Sequence, residues 1–115
     1  MGKYLMIVQA QGLPGHEDDL PSWYDEVHFR EMCAIPGVLA ARRYCVTENS
    51  PVKPVIPNLA IYEIEADDIA MVSRELYKRT KAAEMTRLDT LDRETMTIVF
   101  YEQRSEVTAS QKPSS

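Results

Sequence analysis

Between Asp18 and Thr47 the hydrophobic period of the chain changes once, and that change constrains the fold more than any other feature. From Asp18 to Ile35, residues Leu20, Trp23, Tyr24, Val27, Glu31 and Ile35 recur at steps of three and four, a helical stripe with one polar interruption. Asp18 or Asp19 can cap this helix, and Pro21 is tolerated in its first turn, where a missing N–H costs nothing. Ile35-Pro36-Gly37 ends it, because proline pushes the preceding residue out of helical geometry and glycine permits the reversal. From Val38 to Thr47 the period is two. Both alternating sets, Val38, Ala40, Arg42, Tyr44, Val46 and Leu39, Ala41, Arg43, Cys45, Thr47, hold apolar members. A helix turned back onto a strand whose two faces are both partly apolar belongs in a layered α+β unit.

The rest of the chain extends that unit. Lys3 to Gln11 reads as a strand, with Leu5, Met6, Ile7 and Val8 closing on Gly12, Pro14 and Gly15. Asn49, Ser50 and prolines 51, 54 and 57 make Glu48 to Pro57 an extended loop. Leu59 to Glu65 resumes strand. Asp67 and Asp68 place negative charge at a helix start, and Ile69, Val72, Leu76 and Arg79 follow at helical spacing. Lys81 to Glu94 is polar, with Met85, Leu88 and Leu91 at three-residue steps, and is expected as a short helical turn or a segment covering a pocket. Thr95 to Arg104 is a last strand. The domain is expected over residues 1–106, with 107–115 a disordered tail too poor in apolar residues to pack.

The order β, α, β, β, α, β is the ferredoxin-like α+β arrangement, an antiparallel sheet with helices on one face. Apolar residues on the second face, drawn from Met6, Ile61, Ile98 and Val99, need another cover, which a second subunit's sheet supplies. A homodimer of the αβ-barrel kind is therefore expected.

Composition removes other classes. A chain of 115 residues with 44% hydrophobic composition is sized for one core. A net charge of -5, from 18 acidic and 13 basic residues, offers a polyanion no footprint, so no nucleic acid partner is expected. No apolar run approaches the roughly 20 residues that cross a bilayer, and KYLMIV at the start is strand-like rather than a cleavable leader, so the expected location is cytoplasmic, with no membrane partner. Cys33 and Cys45 lack CxxC spacing and a surrounding Cys or His cluster, and are expected as buried small apolar residues. His16 beside Glu17, Asp18 and Asp19 has metal-ligand chemistry, but consecutive carboxylates are also an ordinary helix start, and no metal is expected. With no GxGxxG, phosphate-loop or GxSxG motif, no cofactor is expected either.

Candidate chemistry gathers on the first helix. His28 has an imidazole usable as general acid or base near neutrality. Asp25 lies three residues before it and Tyr24 four before, so on an α-helix both are its neighbours, and Asp25 can orient the ring. Tyr44, arriving on the next strand, can donate a hydrogen bond to a developing oxyanion. Trp23, Tyr24 and Arg43 complete the set as substrate-binding candidates, although large aromatics are core anchors as readily as ligand platforms. Arg42 and Arg43 point to opposite faces of their strand, so at most one reaches a pocket. The plainer reading of His28 is a half-buried residue with a structural hydrogen bond.

The run WYDEVHFREMCAIPGVLAARRY resembles the EthD-like branch of the dimeric αβ-barrel superfamily, in which a helix bearing W-x-D/N-x-x-H leads through a Pro-Gly turn to a strand with an Arg-Tyr pair. Trp23, Asp25, His28, Pro36, Gly37, Arg43 and Tyr44 carry the match, and the element order agrees to about Glu106. The resemblance implies a homodimer with one small-molecule pocket per subunit, in a superfamily of muconolactone-type isomerases, polyketide cyclases, cofactor-independent monooxygenases and haem-degrading enzymes. In the methyl-lactone isomerases a His-Phe pair precedes the Pro-Gly turn, as His28-Phe29 precedes Pro36-Gly37 here, and that His and a strand Tyr belong to the active site. His28 and Tyr44 inherit those expected roles. Haem-degrading members hold iron with a His on the second helix; Ile69 to Lys81 has none, so haem is not expected. The expected function is a cofactor-independent isomerase, cyclase, lyase or decarboxylase acting on an aromatic, lactone or polyketide-like compound. A non-catalytic binding or accessory dimer is the alternative.

Overall fold

The computed structural model describes residues 1–110. Its elements run β1 (Gly2–Gln9), α1 (Asp19–Trp23), a π-helical turn (Tyr24–His28), α2 (Phe29–Cys33), β2 (Val38–Cys45), β3 (Asn58–Ala66), α3 (Ile69–Lys81) and β4 (Thr97–Glu102). The α1, π and α2 segments are contiguous and form the one helix expected between Asp18 and Ile35. The strands lie in the order β2-β3-β1-β4, every neighbouring pair antiparallel, which is the ferredoxin-like order.

Strand register sorts the residues into two faces. On the helix side Tyr62, Met6 and Phe100 form the central row, flanked by Ala60 and Val8 on one side and Ile64 and Tyr4 on the other. Leu20, Tyr24, Met32, Ile35 and Val72 from the helices close over these rows, and all five are buried. Each such aliphatic side chain contributes about 1.5–3 kcal/mol relative to exposure. On the other side Arg42, Ile61, Ile7 and Val99 share one row, with Tyr44, Leu59, Leu5 and Tyr101 in adjoining rows. Among the described residues no helix lies over that face, and Leu5, Tyr44, Val99 and Tyr101 are exposed. Met6 and Ile98, two of the residues expected to need a second cover, are on the helix side instead.

Local chemistry explains the joints. Gly37 has φ +97, and its carbonyl accepts from Glu65 N–H at 2.8 Å, fixing the start of β2 against β3; only glycine adopts that angle without strain. Asp68 caps α3, its carboxylate accepting from Ala70 N–H at 2.9 Å, while Lys78, Arg79 and Lys81 sit in the last turn, where cations suit the helix dipole.

One expectation needs correction here. Cys33 and Cys45 are exposed, not buried, because Cys33 lies on the outer side of its helix and Cys45 at the end of an edge strand. Of the two forms expected for Lys81 to Glu94, the segment takes the second in being a covering stretch of turns and coil after Lys81, with Leu91 buried and Met85 and Leu88 packed on the core. Residues 103–110 are exposed coil, and 111–115 of the expected tail lie outside the described residues. No helix among the described residues is long and apolar enough to cross a membrane.

Candidate active site

The site is built on the π-helical turn. Phe29 N–H bonds to the carbonyl of Tyr24, five residues back, where an α-helix would reach four. Residues five apart lie about 140° round the axis of a regular α-helix, on different faces. The widened turn instead brings Trp23 and His28 together, with rings stacked at 4.1 Å and 15°. Tyr24 packs at 5.7 Å from the imidazole, and Tyr62, rising from the middle of the sheet, meets it edge-on at 6.3 Å. Phe29 closes the enclosure against Tyr24 at 5.0 Å and Tyr62 at 5.7 Å.

Inside this aromatic box two polar atoms have no hydrogen-bond partner: His28 Nδ1 and the Tyr62 hydroxyl, both buried. Leaving such groups unpaired costs about 1–3 kcal/mol each. Burial drives the His28 pKa down to about 4, against the pull of the nearby Glu31 charge, so the imidazole is neutral at neutral pH. Burial likewise pushes the Tyr62 hydroxyl well above its ordinary value, with Tyr24 and Cys33 adding to the effect, and raises Tyr24 to about 12. Both phenols therefore keep their protons.

The segment after α3 lies across the outside of this helix. Trp23 Nε1–H donates to the Thr86 carbonyl at 3.2 Å, and Thr86 donates from its backbone N–H (2.9 Å) and hydroxyl (2.8 Å) to the Glu31 carboxylate. The ring stacked on His28 is thus tied to the covering loop.

Of the residues expected at the site, the fold brings together His28, Trp23 and Tyr24. Asp25 does not orient His28: one turn of wider pitch carries it away, and its carboxylate takes two hydrogen bonds from Arg43, at 3.1 and 2.8 Å. That pair holds the Asp25 carboxyl below its ordinary range and raises Arg43. Arg43 stands on the helix side as a pocket residue should, with its fork occupied by Asp25; Arg42, on the opposite face as expected, pairs with Glu63 at 3.1 Å.

Tyr44 is also corrected, for it stands on the open face with Leu59, opposite His28. The register between β2 and β3 shifts between Val38 and Ala40, and one extra residue in a strand turns everything after it to the other face. Tyr62 was not among the expected residues, although the run Ala60, Tyr62, Ile64 carries the signal, a polar-tipped ring in the middle of an otherwise apolar strand face.

Two clefts stand out, and His28 lines neither. One of about 390 Å³ is bordered by Leu5, Leu39, Glu63 and Tyr101, and one of about 250 Å³ by Tyr44, Cys45, Pro54 and Leu59. His16 pairs with Asp19 at 3.3 Å, and Asp19 also accepts from the Thr90 hydroxyl at 2.9 Å, so this group ties the helix start to the covering loop.

No family model and no curated protein matches the sequence. Solved structures do match. A candidate monooxygenase from Shewanella loihica PV-4 superposes with a TM-score of 0.57 at 14% identity, over 94% of this chain and 99% of that one. The monooxygenase from the gene ActVA-Orf6 of Streptomyces coelicolor, solved in complex with nanaomycin D, gives 0.53 at 15% identity, over 95% and 93%. The chain shares the ferredoxin-like fold of these structures. An EthD family protein from Bacillus halodurans C-125 also aligns, with a TM-score of 0.48 at 10% identity, over 90% of this chain and 100% of that one. At these identities the likeness is one of fold.

Proposed function

We propose that this chain is a small-molecule enzyme that moves protons with the neutral imidazole of His28, acting as an isomerase, cyclase, lyase or decarboxylase on an aromatic, lactone or polyketide-like compound. The observation that carries this reading is the unpaired, buried Nδ1 of His28 inside a box of Trp23, Tyr24, Phe29 and Tyr62. A structural histidine spends its ring nitrogens on fixed partners; this one holds a lone pair in reserve. Aromatic walls suit a flat, conjugated guest, and a basic atom among them suits one that gives up a proton.

Burial makes the free imidazole a weak base, with its pKa near 4. A substrate reverses that as it reacts. Negative charge developing beside the ring favours the imidazolium, so base strength grows along the reaction coordinate and is largest at the transition state. The solved monooxygenase with nanaomycin D, on the same fold, supports a small organic ligand as the class of guest. The homodimer belongs to the same proposal, supported by exposed Leu5, Tyr44, Val99 and Tyr101 on the face without helices.

The test is a screen of phenols, lactones and aromatic acids followed by His28→Asn. Turnover should fall about 100-fold to 10,000-fold, the usual worth of a general acid or base. Stability should change by no more than about 1.5 kcal/mol, the worth of the Trp23 stack, because no hydrogen bond of His28 Nδ1 is lost. Unchanged turnover in folded His28→Asn would sink the reading. The accessory reading draws on a different observation, the two clefts away from His28, and predicts ligand binding that no change at His28 alters.

A further inference from the structure

We propose that residues 84–89 form a strap that must lift before any guest reaches His28 Nδ1, and that Thr86, held by Glu31 and Trp23, is its latch. This rests on the His28 reading and deepens it by saying how the site is entered.

In the closed arrangement His28 Nδ1 is buried without a partner, and His28 borders neither cleft, so a molecule arriving from solvent cannot touch the atom that would take its proton. Something has to move. Three elements surround the ring, and the sheet is the least free of them, because β3, which carries Tyr62, is hydrogen-bonded to a strand on each side. The first helix moves only as a body, since Leu20, Tyr24 and Met32 fix it in the core. The third element is the chain after α3. Glu84, Thr86, Arg87 and Asp89 are exposed there, and only Met85 and Leu88 rest on the core. A segment with so little buried apolar contact opens at a lower free energy than the sheet or the helix.

The ends of the strap are fixed and its middle is not. At one end Ala83, in the left-handed region at φ 58, and Glu84 donate their N–H groups back to the carbonyls of Thr80 and Arg79 at the close of α3. At the other, Leu13 N–H donates to the Thr90 carbonyl at 2.7 Å, Asp92 N–H to that of Gln11 at 2.9 Å, and Leu91 bridges Gly12. Among the described residues, Thr86 is the one member of 84–89 hydrogen-bonded to the first helix, and its two partners flank His28 in sequence. Glu31 lies three residues after the histidine, and Trp23, whose ring is stacked on the imidazole, five before it. Lifting Thr86 takes the acceptor away from the Trp23 indole, which is then free to turn off the imidazole and uncover it.

Trp23 is the one tryptophan of the chain, so its indole N–H and its fluorescence both report on the latch. Glu31→Ala removes the carboxylate that holds Thr86 but leaves the Thr86 carbonyl that accepts from Trp23, and alanine suits a helix. In this variant the indole N–H should exchange with solvent about tenfold faster, the worth of a hydrogen bond to a charged group, while the amides of β3 exchange as before. Thr86→Val, which loses only the hydroxyl, should show a smaller rise. For entry the probe is p-nitrophenol, which absorbs where tryptophan emits. In the unaltered protein its quenching rate should level off with rising concentration, at the rate of lifting, and Glu31→Ala should raise that plateau by the same factor as the exchange. The strap is overturned, and the His28 reading left standing, by an indole N–H that exchanges no faster in either variant or only together with the β3 amides. A quenching rate that climbs without a plateau, or a plateau of equal height in both proteins, overturns it in the same way. If neither p-nitrophenol nor any other compound of the screen binds saturably, the His28 reading falls and the strap falls with it.

Discussion

The two faces of the sheet use tyrosine in opposite ways. On the helix side Tyr62 and Tyr24 are buried, with hydroxyls whose protons are held by desolvation. On the open side Tyr44 and Tyr101 are 47% and 54% exposed and lie among Leu5, Leu59 and Val99. The residues that separate these fates are neighbours in sequence, Ile61 beside Tyr62 and Arg42 beside Arg43, so a period of two assigns one strand to two tasks. The helix side concentrates unpaired polar atoms where they are costly. The open side offers apolar area instead. The proposed reading assigns reaction chemistry to the first and association to the second.

The sharpest way to break that division is His28→Asn. Its expected loss of 100-fold to 10,000-fold in turnover corresponds to about 3–5 kcal/mol in transition-state stabilisation, with little change in unfolding free energy. If turnover instead follows the open face, so that changes at Tyr44 cost more than changes at His28, the assignment of faces is inverted. Next in size is Ile7→Lys on the open face. A charge placed at the middle of a sheet-to-sheet contact costs several kcal/mol, so the particle should sediment at 13.1 kDa rather than at twice that mass. A stable monomer before the substitution would remove the dimer.

How far the sequence could be read follows the same boundary. The element order and the Pro36-Gly37 turn were legible because period and turn chemistry are local signals, and the strand limits differ from expectation by only a residue or two. His28, Trp23 and Tyr24 were legible as a group, although by an argument from α-helical spacing that does not hold: the π turn puts Trp23 on His28 and sends Asp25 to Arg43. Neither the π turn nor the register shift after Val38 leaves a mark in the pattern of apolar residues. Each inserts a fraction of a turn or one residue, and each redirects every side chain beyond it. Tyr44 therefore lies on the face opposite to the one that its period alone implies. The burial that makes the Tyr62 hydroxyl notable likewise leaves no mark in the sequence, because it is a property of the packed sheet.

The buried imidazole also makes stability depend on pH in a window of its own. Unfolded, His28 titrates near its ordinary 6.5; folded, near 4. Above pH 6.5 it is neutral in both states and contributes no slope. As pH falls from there toward 4 the unfolded chain takes the proton first, so folded stability declines, by about 3 kcal/mol in all, and this group adds nothing further below that. Asp25, Glu17 and Glu75, whose carboxyls are held below their ordinary values, act at lower pH, where protonation removes their contribution. Urea unfolding at pH 7 and pH 4.5 should therefore show a decline that is several-fold smaller in His28→Asn. An identical decline in both proteins would mean that the ring is reached by water.

The smallest expected effect comes from the pair that joins the first helix to β2. Arg43 gives Asp25 two hydrogen bonds, but the side chains are 31% and 51% exposed, and solvent screens most of their attraction. Asp25→Asn should cost less than about 1 kcal/mol and should weaken further as a difference when salt is raised. Its effect on turnover should be slight as well, because Asp25 touches neither the imidazole nor Tyr62. This is the opposite of what helical spacing alone implied, where Asp25 orients the ring and its loss is a lesser copy of losing His28. The two arrangements separate in the pH profile of turnover. A carboxylate that orients His28 moves the acid limb when neutralised, whereas a carboxylate occupied by Arg43 leaves the limb in place. A shifted acid limb in Asp25→Asn would mean that the π turn relaxes to α-helical pitch when substrate binds.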